Sequence, residues 1–345
     1  MPVINHKERL QAIIDRIKSD PACWNQANWH CGSSHCVAGH AQIDSGNKID
    51  DDNTFRDGKS WLGLSEEEAE HLFGPERTLE EIETFAASFE RITLVIDKSD
   101  LNNLGEYIGS HPVEKVQGHI SIAANLGWVK FKASLSASLS IHSEAGSGIE
   151  AGSGIKAGRG IEAGEGIKAG RGIEAGRGIE AGSGIEAGLG IEAGWGIEAG
   201  EGIKAGRGIE AGSGIEAGLG IEAGLGIEAG WGIEAGEGIK AGSGIKAGSG
   251  IEAGWGIEAG SGIEAGSGIE AGSGIEAGWG IEAGLAIVSK WISTPLRIFA
   301  GLCIWKNPES SETEICSELR SGTIAFGKHV SPALVQADPV KAVTT

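Results

Sequence analysis

The sequence predicts an α+β multi-domain protein: a small helical N-terminal domain, then a parallel β-helix (β-solenoid) of about 18 residues per coil, closed by a C-terminal capping segment. Apolar residues have helical spacing in residues 1–92. Isoleucine then recurs every sixth residue from Ile149 to Ile287, 24 times in all. The repeating unit is a hexad of the form Ile-Glu-Ala-Gly-x-Gly, which begins with this isoleucine. A period this strict indicates stacked structural repeats.

The first helix of the N-terminal domain is predicted from residues that share one helical face. Leu10, Ile13, Ile14 and Ile17 lie at i, i+3, i+4 and i+7, and Pro21 follows the predicted end. This helix therefore buries one apolar face against the rest of the domain.

Three further helices are predicted from capping and stop signals. Ser33 or Ser34 would cap a helix that ends at Gly46. Ser65, followed by three glutamates, would start the next one. Thr78 and Glu81 form a capping-box pattern that starts the last helix, which runs to about Phe89.

Residues 93–142 are predicted to form irregular strands that lead into the solenoid and cap it. The period shifts to alternation at Ile92–Ile96, His119–Ile122 and Trp128–Lys132. The solenoid itself is assigned to residues 143–287. Residues 288–345 are predicted to form a C-terminal cap and a flexible tail.

Each hexad predicts one short strand and one corner. In Ile-Glu-Ala the first and third side chains point inward and the second points outward, because successive strand residues alternate between faces. Gly-x-Gly is predicted to turn the corner with φ positive at low steric cost, and the variable residue x projects outward. Three hexads make one triangular coil, of either handedness.

Charges at 18-residue spacing predict the outward columns of such coils. One column is all acidic, and a second alternates in sign, which stabilises stacked strands by roughly 0.2–1 kcal/mol per pair. The first column is predicted to read Glu144, Glu162, Glu180, Glu198, Glu216, Glu234, Glu252 and Glu270. The second is predicted to read Glu150, Lys168, Glu186, Lys204, Glu222, Lys240, Glu258 and Glu276. A duplicated 36-residue segment would produce the same alternation. Disorder and silk-like stacking are the alternatives to a monomeric solenoid.

Composition limits the partners and the compartment. A formal net charge of -20 disfavours direct binding to nucleic acid. No apolar stretch is long enough to span a bilayer, and the start of the chain lacks a signal-peptide pattern, so we expect no membrane partner and a cytoplasmic protein. Five cysteines without a disulfide-like spacing fit that compartment.

The repeats resemble three groups of proteins. Ile-Glu-Ala-Gly-Ser-Gly-Ile resembles the hexapeptide turns of left-handed β-helix proteins, although Trp, Leu and Arg stand where that family has a small inward residue. The hexads also resemble bactofilin-type polymerising β-helices and bacterial glycine-rich hexapeptide-repeat proteins. The region Trp29–His40, with its Cys-Gly-x-x-x-Cys-x-Ala-Gly pattern, resembles a small bacterial and phage domain with no activity attached to it.

The one cluster with metal-ligand chemistry lies in the N-terminal domain. Cys31, His35, Cys36 and His40 carry the N and S ligands that zinc takes, but standard ligand spacings are absent. Packing of a small helical core is the competing interpretation and the one that we favour. We therefore predict no cofactor, with zinc as the alternative. A thiol nucleophile, Cys31 or Cys36 with a histidine base, lacks a third group to orient it.

The repeats carry no His, Asp or Thr, which argues against a catalyst on the rod. Their candidate binding residues are exposed apolar side chains at the corners, for which drift within a duplicated array is the competing interpretation. The predicted partner-binding residues are Trp195, Trp231, Trp255, Trp279, Leu189 and Leu225, with Leu219 as a further one.

The sequence therefore predicts a non-enzymatic structural or protein-interaction scaffold with a protein partner. One alternative is an acidic mimic of DNA that occupies a nucleic-acid-binding protein, since the repeats hold 22 acids against 9 bases. A further alternative is a self-assembling, bactofilin-like filament. The last is a metal or thiol site in the N-terminal domain.

Overall fold

The structure is a computed structural model, and it describes residues 3–24, 30–31, 34–46, 53–64, 66–88, 92–303 and 306–331. It consists of a helical N-terminal region followed by a long parallel β-solenoid and a C-terminal segment, as the sequence predicts. The predicted flexible tail lies outside the described residues from 332 onward. Within the described ranges, no helix combines the length and the apolarity that a membrane crossing requires.

In the described part of residues 1–92, five α-helices form the N-terminal region. They are α1 (His6–Ser19), α2 (Val37–Ser45), α3 (Thr54–Leu62), α4 (Glu66–Phe73) and α5 (Leu79–Ser88). The predicted apolar face of α1 is buried in a core that all five helices share. The capping box of α5 is present, because Glu81 N donates to Thr78 Oγ1 and Thr78 N donates to Glu81 Oε2.

Two details of this region differ from the sequence prediction. The residue that caps α2 is Cys36, whose sulfur accepts a hydrogen bond from Gly39 N at 3.3 Å, so neither Ser33 nor Ser34 is the cap. Helix α3 was not predicted, because Gly58 stands in its centre and disfavours a helix. Gly58 lies directly against the backbone of Ala38, so a glycine there lets α2 and α3 approach closely.

The N-terminal region is joined to the solenoid by a strand that the sequence did not reveal. Strand β1 (Val3–Asn5) pairs antiparallel with β4 (Ile92–Ile96). The two-residue strands β2 (His30–Cys31) and β3 (Ser34–His35) form a separate small sheet. Next to β1, the buried His6 ring places Nε2 at 2.6 Å from Thr93 Oγ1. The helices are therefore attached to the first strand of the rod.

After β4, four strands precede the regular hexads, and a fifth contains the first isoleucine of the repeat, Ile149. These are β5 (Gly118–Ile122), β6 (Gly127–Phe131), β7 (Leu135–Ala137), β8 (Ile141–Ser143) and β9 (Ser147–Ala151). They pair in parallel with the coil that follows, which confirms the strands predicted near Ile92, His119 and Trp128.

The hexads form a strand every six residues, from β10 (Ile155–Ala157) to β31 (Ile281–Ala283). Each has three residues except β30 (Gly274–Ala277). From β10 to β29, each strand pairs in parallel with the strand three positions later, so one coil has three strands and 18 residues. Isoleucine and alanine point inward and are at most 3 % exposed in every hexad strand. Each buried isoleucine contributes on the order of 1.5–3 kcal/mol.

The chain continues to stack after the last hexad. Strand β32 (Ile287–Ala300) pairs with β29, β30 and β31 in turn, and β33 (Glu314–Phe326) pairs along β32. Strand β34 (Lys328–Val330) pairs with the start of β33. The buried residues of β32 include Ile287, Ile292 and Ile298, so the core of the rod extends into the C-terminal segment.

The corner glycines are required for a reason other than the predicted one. None of the hexad glycines from Gly148 to Gly284 has a positive φ. The first glycine of each corner instead lies against a backbone carbonyl of the preceding coil, as Gly212 does against Gly194. A Cβ there would fall well inside 3.0 Å of that backbone. At the second glycine of each corner from Gly172 to Gly268, an added Cβ would lie 3.2–3.5 Å from the nearest backbone oxygen of the next coil.

The sequence itself contains a natural substitution that agrees with this difference. The last corner reads Gly284-Leu285-Ala286, so the one alanine among the hexad corners stands at the second position. Its carbonyl still accepts a hydrogen bond from Ile269 N at 3.1 Å. At this last corner of the hexads the second position thus carries a methyl group.

We predict that Gly212→Ala destabilises the rod much more than Gly214→Ala. The two glycines flank Ser213 in one corner and so form a matched pair. Overpacking at Gly212 should cost roughly 1–3 kcal/mol, and Gly214→Ala less than about 1 kcal/mol. The urea midpoint followed by circular dichroism measures both. Equal midpoints for the two variants would contradict the close-approach explanation.

Candidate functional site

The solenoid presents three faces whose outward columns differ in charge. The acidic face reads His142, Glu162, Glu180, Glu198, Glu216, Glu234, Glu252 and Glu270. The paired face reads Lys130, Glu150, Lys168, Glu186, Lys204, Glu222, Lys240, Glu258 and Glu276. The mixed face reads Ser136, Lys156, Glu174, Glu192, Glu210, Glu228, Lys246, Glu264 and Glu282.

The predicted acidic column is correct except at its first residue. Glu162 pairs with His142 and not with Glu144. The coil at this point is two residues longer than 18, because the turn that contains Glu144 and Gly146 interrupts the hexad spacing. His142 Nδ1 lies 3.1 Å from Glu162. The alternating column was predicted correctly and is the paired face.

On the paired face, opposite charges relieve the repulsion between stacked glutamates. Lys168, Lys204 and Lys240 each reach the glutamate of the next coil at 2.9–3.1 Å. Hydrogen bonds to Glu186 and Glu258 raise the pKa of Lys168 and Lys240, respectively. Because these pairs are exposed to solvent, each adds little to the stability of the rod.

On the acidic face the repulsion is not relieved. In the described part of the chain, no lysine or arginine forms an ion pair with any glutamate from Glu180 to Glu270 in this column. Each carboxylate stands directly opposite another in the neighbouring strand. Like charges in direct register destabilise a sheet. Among the described residues, this column is longer than the run of unpaired glutamates on the mixed face, Glu192, Glu210 and Glu228.

The predicted apolar binding residues are exposed, as expected, but they do not share one surface. The four tryptophans are 59–69 % exposed and the three leucines 42–48 %. Trp195 and Trp231 lie two coils apart on the corner between the mixed and acidic faces. Trp255 and Leu219 lie on the corner between the acidic and paired faces. Trp279, Leu189 and Leu225 lie on the corner between the paired and mixed faces.

The corner between the mixed and acidic faces carries two of the four predicted tryptophans, Trp195 and Trp231. Its x residues read Arg159, Arg177, Trp195, Ser213, Trp231, Ser249, Ser267 and Leu285, joined by backbone hydrogen bonds from coil to coil. Trp195 and Trp231 line a groove along the acidic face, together with glutamates of that column such as Glu216. Corner glycines such as Gly214 line the same groove.

The predicted metal ligands do not form a site among the described residues. His30 and His35 are opposite each other in the β2–β3 pair, and the side chains of Cys31 and His35 lie outside the described part of the structure. Within the part that is described, no group of three or more His, Cys, Asp or Glu side chains is arranged to hold a metal ion. The zinc alternative stays a prediction for Cys31 and His35.

Cys36 and His40 have contacts typical of core residues. Cys36 is fully buried, and its sulfur accepts the Gly39 hydrogen bond that caps α2. His40 is 2 % exposed, with Nε2 at 3.1 Å from the Cys23 carbonyl oxygen and Nδ1 at 3.4 Å from Arg16. Because a carbonyl oxygen can only accept, Nε2 is the donor in the contact with Cys23. Both residues thus contribute to the helical core.

Comparisons of the chain with protein-family models, with curated proteins and with solved structures find no match.

We predict that Cys36 reacts slowly with thiol reagents in the folded protein. Burial raises the pKa of its thiol, and the thiolate is the reactive form. Alkylation by iodoacetamide at pH 7, followed residue by residue with mass spectrometry, should label Cys36 only after denaturation. Rapid labelling of Cys36 in the native protein would instead indicate an activated thiol.

Proposed function

We propose that the protein is a non-enzymatic interaction scaffold, in which the solenoid is a rigid rod that presents its acidic face to a basic protein partner. The observation that carries this proposal is the difference between the faces. The chain places lysines every second coil on the paired face but none on the acidic face between Glu162 and Glu270. A cationic partner would relieve the repulsion between the stacked carboxylates.

The groove beside the acidic face supports the same proposal. Exposed aromatic side chains next to a charged surface are typical of protein interfaces. The ladder of backbone hydrogen bonds holds the glutamate backbones at a fixed strand spacing, so little backbone entropy is lost when a partner binds.

A nucleic-acid-binding protein is a second candidate for the partner. Stacked strands place the carboxylates about 4.8 Å apart, a regular linear array of negative charge. A protein whose basic surface tracks phosphates meets a similar array on the acidic face. In that case added duplex DNA competes with the rod for the partner.

We predict that partner capture depends on the acidic face and not on the net charge. Tagged full-length protein carrying Glu180→Gln, Glu198→Gln and Glu216→Gln should lose the partner. The matched control carries Glu186→Gln, Glu222→Gln and Glu258→Gln on the paired face, which removes the same number of charges. Affinity capture with quantitative mass spectrometry, repeated as the salt concentration rises, measures both.

The two variants separate the explanations. Retention by the control and loss by the acidic-face variant support the scaffold proposal. Equal capture by the wild-type protein and both variants would contradict it. Displacement of the captured protein by duplex DNA would favour the DNA-mimic form of the proposal.

A further inference from the structure

Three described tryptophans of this chain already hold an arginine over their rings. The guanidinium carbon of Arg9 lies 4.5 Å from the ring centroid of Trp61, and that of Arg320 lies 4.1 Å from Trp291. On the corner between the mixed and acidic faces, Arg177 lies 5.3 Å from the ring of Trp195. A guanidinium over an indole ring is attracted by the negative face of the π system.

Trp231 occupies the same corner two coils later, but the position that would supply its arginine holds a serine. Trp195 N donates to the carbonyl oxygen of Arg177 at 3.1 Å, and Trp231 N donates to that of Ser213 at the same distance. Ser213 is thus the structural equivalent of Arg177. The ring of Trp231 is 69 % exposed, against 59 % for Trp195.

The carboxylates on both sides of this corner add a second feature that favours a cation. Glu228 and Glu234 lie three residues before and after Trp231 on the mixed and acidic faces. Glu210 and Glu216 are their register partners in the preceding coil, on either side of Ser213. In the described part of the chain no ion pair reaches Glu210 or Glu216. Lys246 adjoins Glu228 on the other side and is paired with Glu264.

The other two tryptophans at hexad corners, Trp255 and Trp279, differ in these surroundings. Trp279 stands over Ser261, but the glutamates beside that serine, Glu258 and Glu264, are already paired with Lys240 and Lys246. Trp255 N donates to the carbonyl oxygen of Glu237, so a glutamate holds the position equivalent to Arg177. Lys240, three residues after Glu237, lies on the adjoining paired face. Trp231 is therefore the corner tryptophan for which a serine, Ser213, stands at the position equivalent to Arg177. The glutamates on either side of that serine, Glu210 and Glu216, have no ion pair among the described residues.

We propose that Trp231 and the carboxylates around Ser213 bind an arginine side chain of a basic protein segment. The guanidinium would lie over the Trp231 ring, as that of Arg177 lies over Trp195, with Glu210 and Glu216 on its two sides. This inference rests on the proposed function and names the chemistry of the partner at one point of the rod.

The test uses the full chain and a fluorescein-labelled synthetic peptide of alternating arginine and glycine, with fluorescence anisotropy as the measurement. Trp231→Ala should weaken peptide binding roughly three- to thirtyfold, which corresponds to one cation–π contact. Trp279→Ala should change it less than about twofold. Both side chains are largely exposed, so both variants should keep the fold.

Two further variants test the geometry without removing Trp231. Ser213→Arg should weaken peptide binding, because its guanidinium would occupy the Trp231 ring as Arg177 occupies Trp195. Ser261→Arg adds the same charge under Trp279 and should have a smaller effect. Arg177→Ser should tighten binding, because it frees the ring of Trp195.

The outcomes distinguish this inference from the broader proposal. The Trp231 site is overturned if Trp231→Ala and Trp279→Ala lose the same amount of binding. It is also overturned if Ser213→Arg and Ser261→Arg have the same effect. In either case, a peptide that still binds the acidic face leaves the scaffold proposal intact. Absence of peptide binding by the wild-type chain would also overturn the site. The capture experiment with the glutamine variants judges the scaffold proposal independently of the peptide.

Discussion

The close approach of backbone to backbone at the corners is the constraint on which the rest of this rod depends. The first glycine of each corner lies against a carbonyl of the preceding coil, at a separation that leaves no room for a Cβ. The same corners donate N–H groups to the coil before them, as Gly218 does to Ala199 at 3.0 Å. Glycine therefore fixes both the distance between coils and their register.

Fixed register leaves the chain two outward positions per hexad at which side chains can vary. Isoleucine and alanine fill the interior in every coil, so the surface chemistry is carried by the residue after isoleucine and by the corner residue x. Because the coil has 18 residues, each of these positions forms a straight column. A lysine in every second coil neutralises one face, and its omission leaves another face uniformly acidic.

The two ends of the solenoid are covered in different ways. At the N-terminal end, β1 adds to β4, and the segment before β5 bridges to the first coil, where Glu106 and Val116 pair with Lys130 and Ala137. At the C-terminal end, β32 and β33 continue the stack with larger and more varied side chains. The uniform interior is thus limited to the hexads.

The sequence by itself determined the period, the inward isoleucine and alanine, the alternating column and the exposure of the corner tryptophans. Each follows from local alternation and from a repeat of 18 residues. The sequence also identified α1 and α5, from an apolar face and from the capping box of Thr78. Helix α3 and strand β1 were missed because no local sequence pattern indicates either one. Helix α3 is stabilised by its contact with Ala38, and strand β1 by its pairing with β4.

Only the tertiary structure decided which residues share a surface. It placed His142 instead of Glu144 above Glu162, because the register across the turn at Gly146 depends on pairing between coils. It explained the corner glycines by contact with a carbonyl of another coil and not by their own φ. These relations join residues 18 or 20 positions apart, so they are set by the stacking of coils and not by the local sequence.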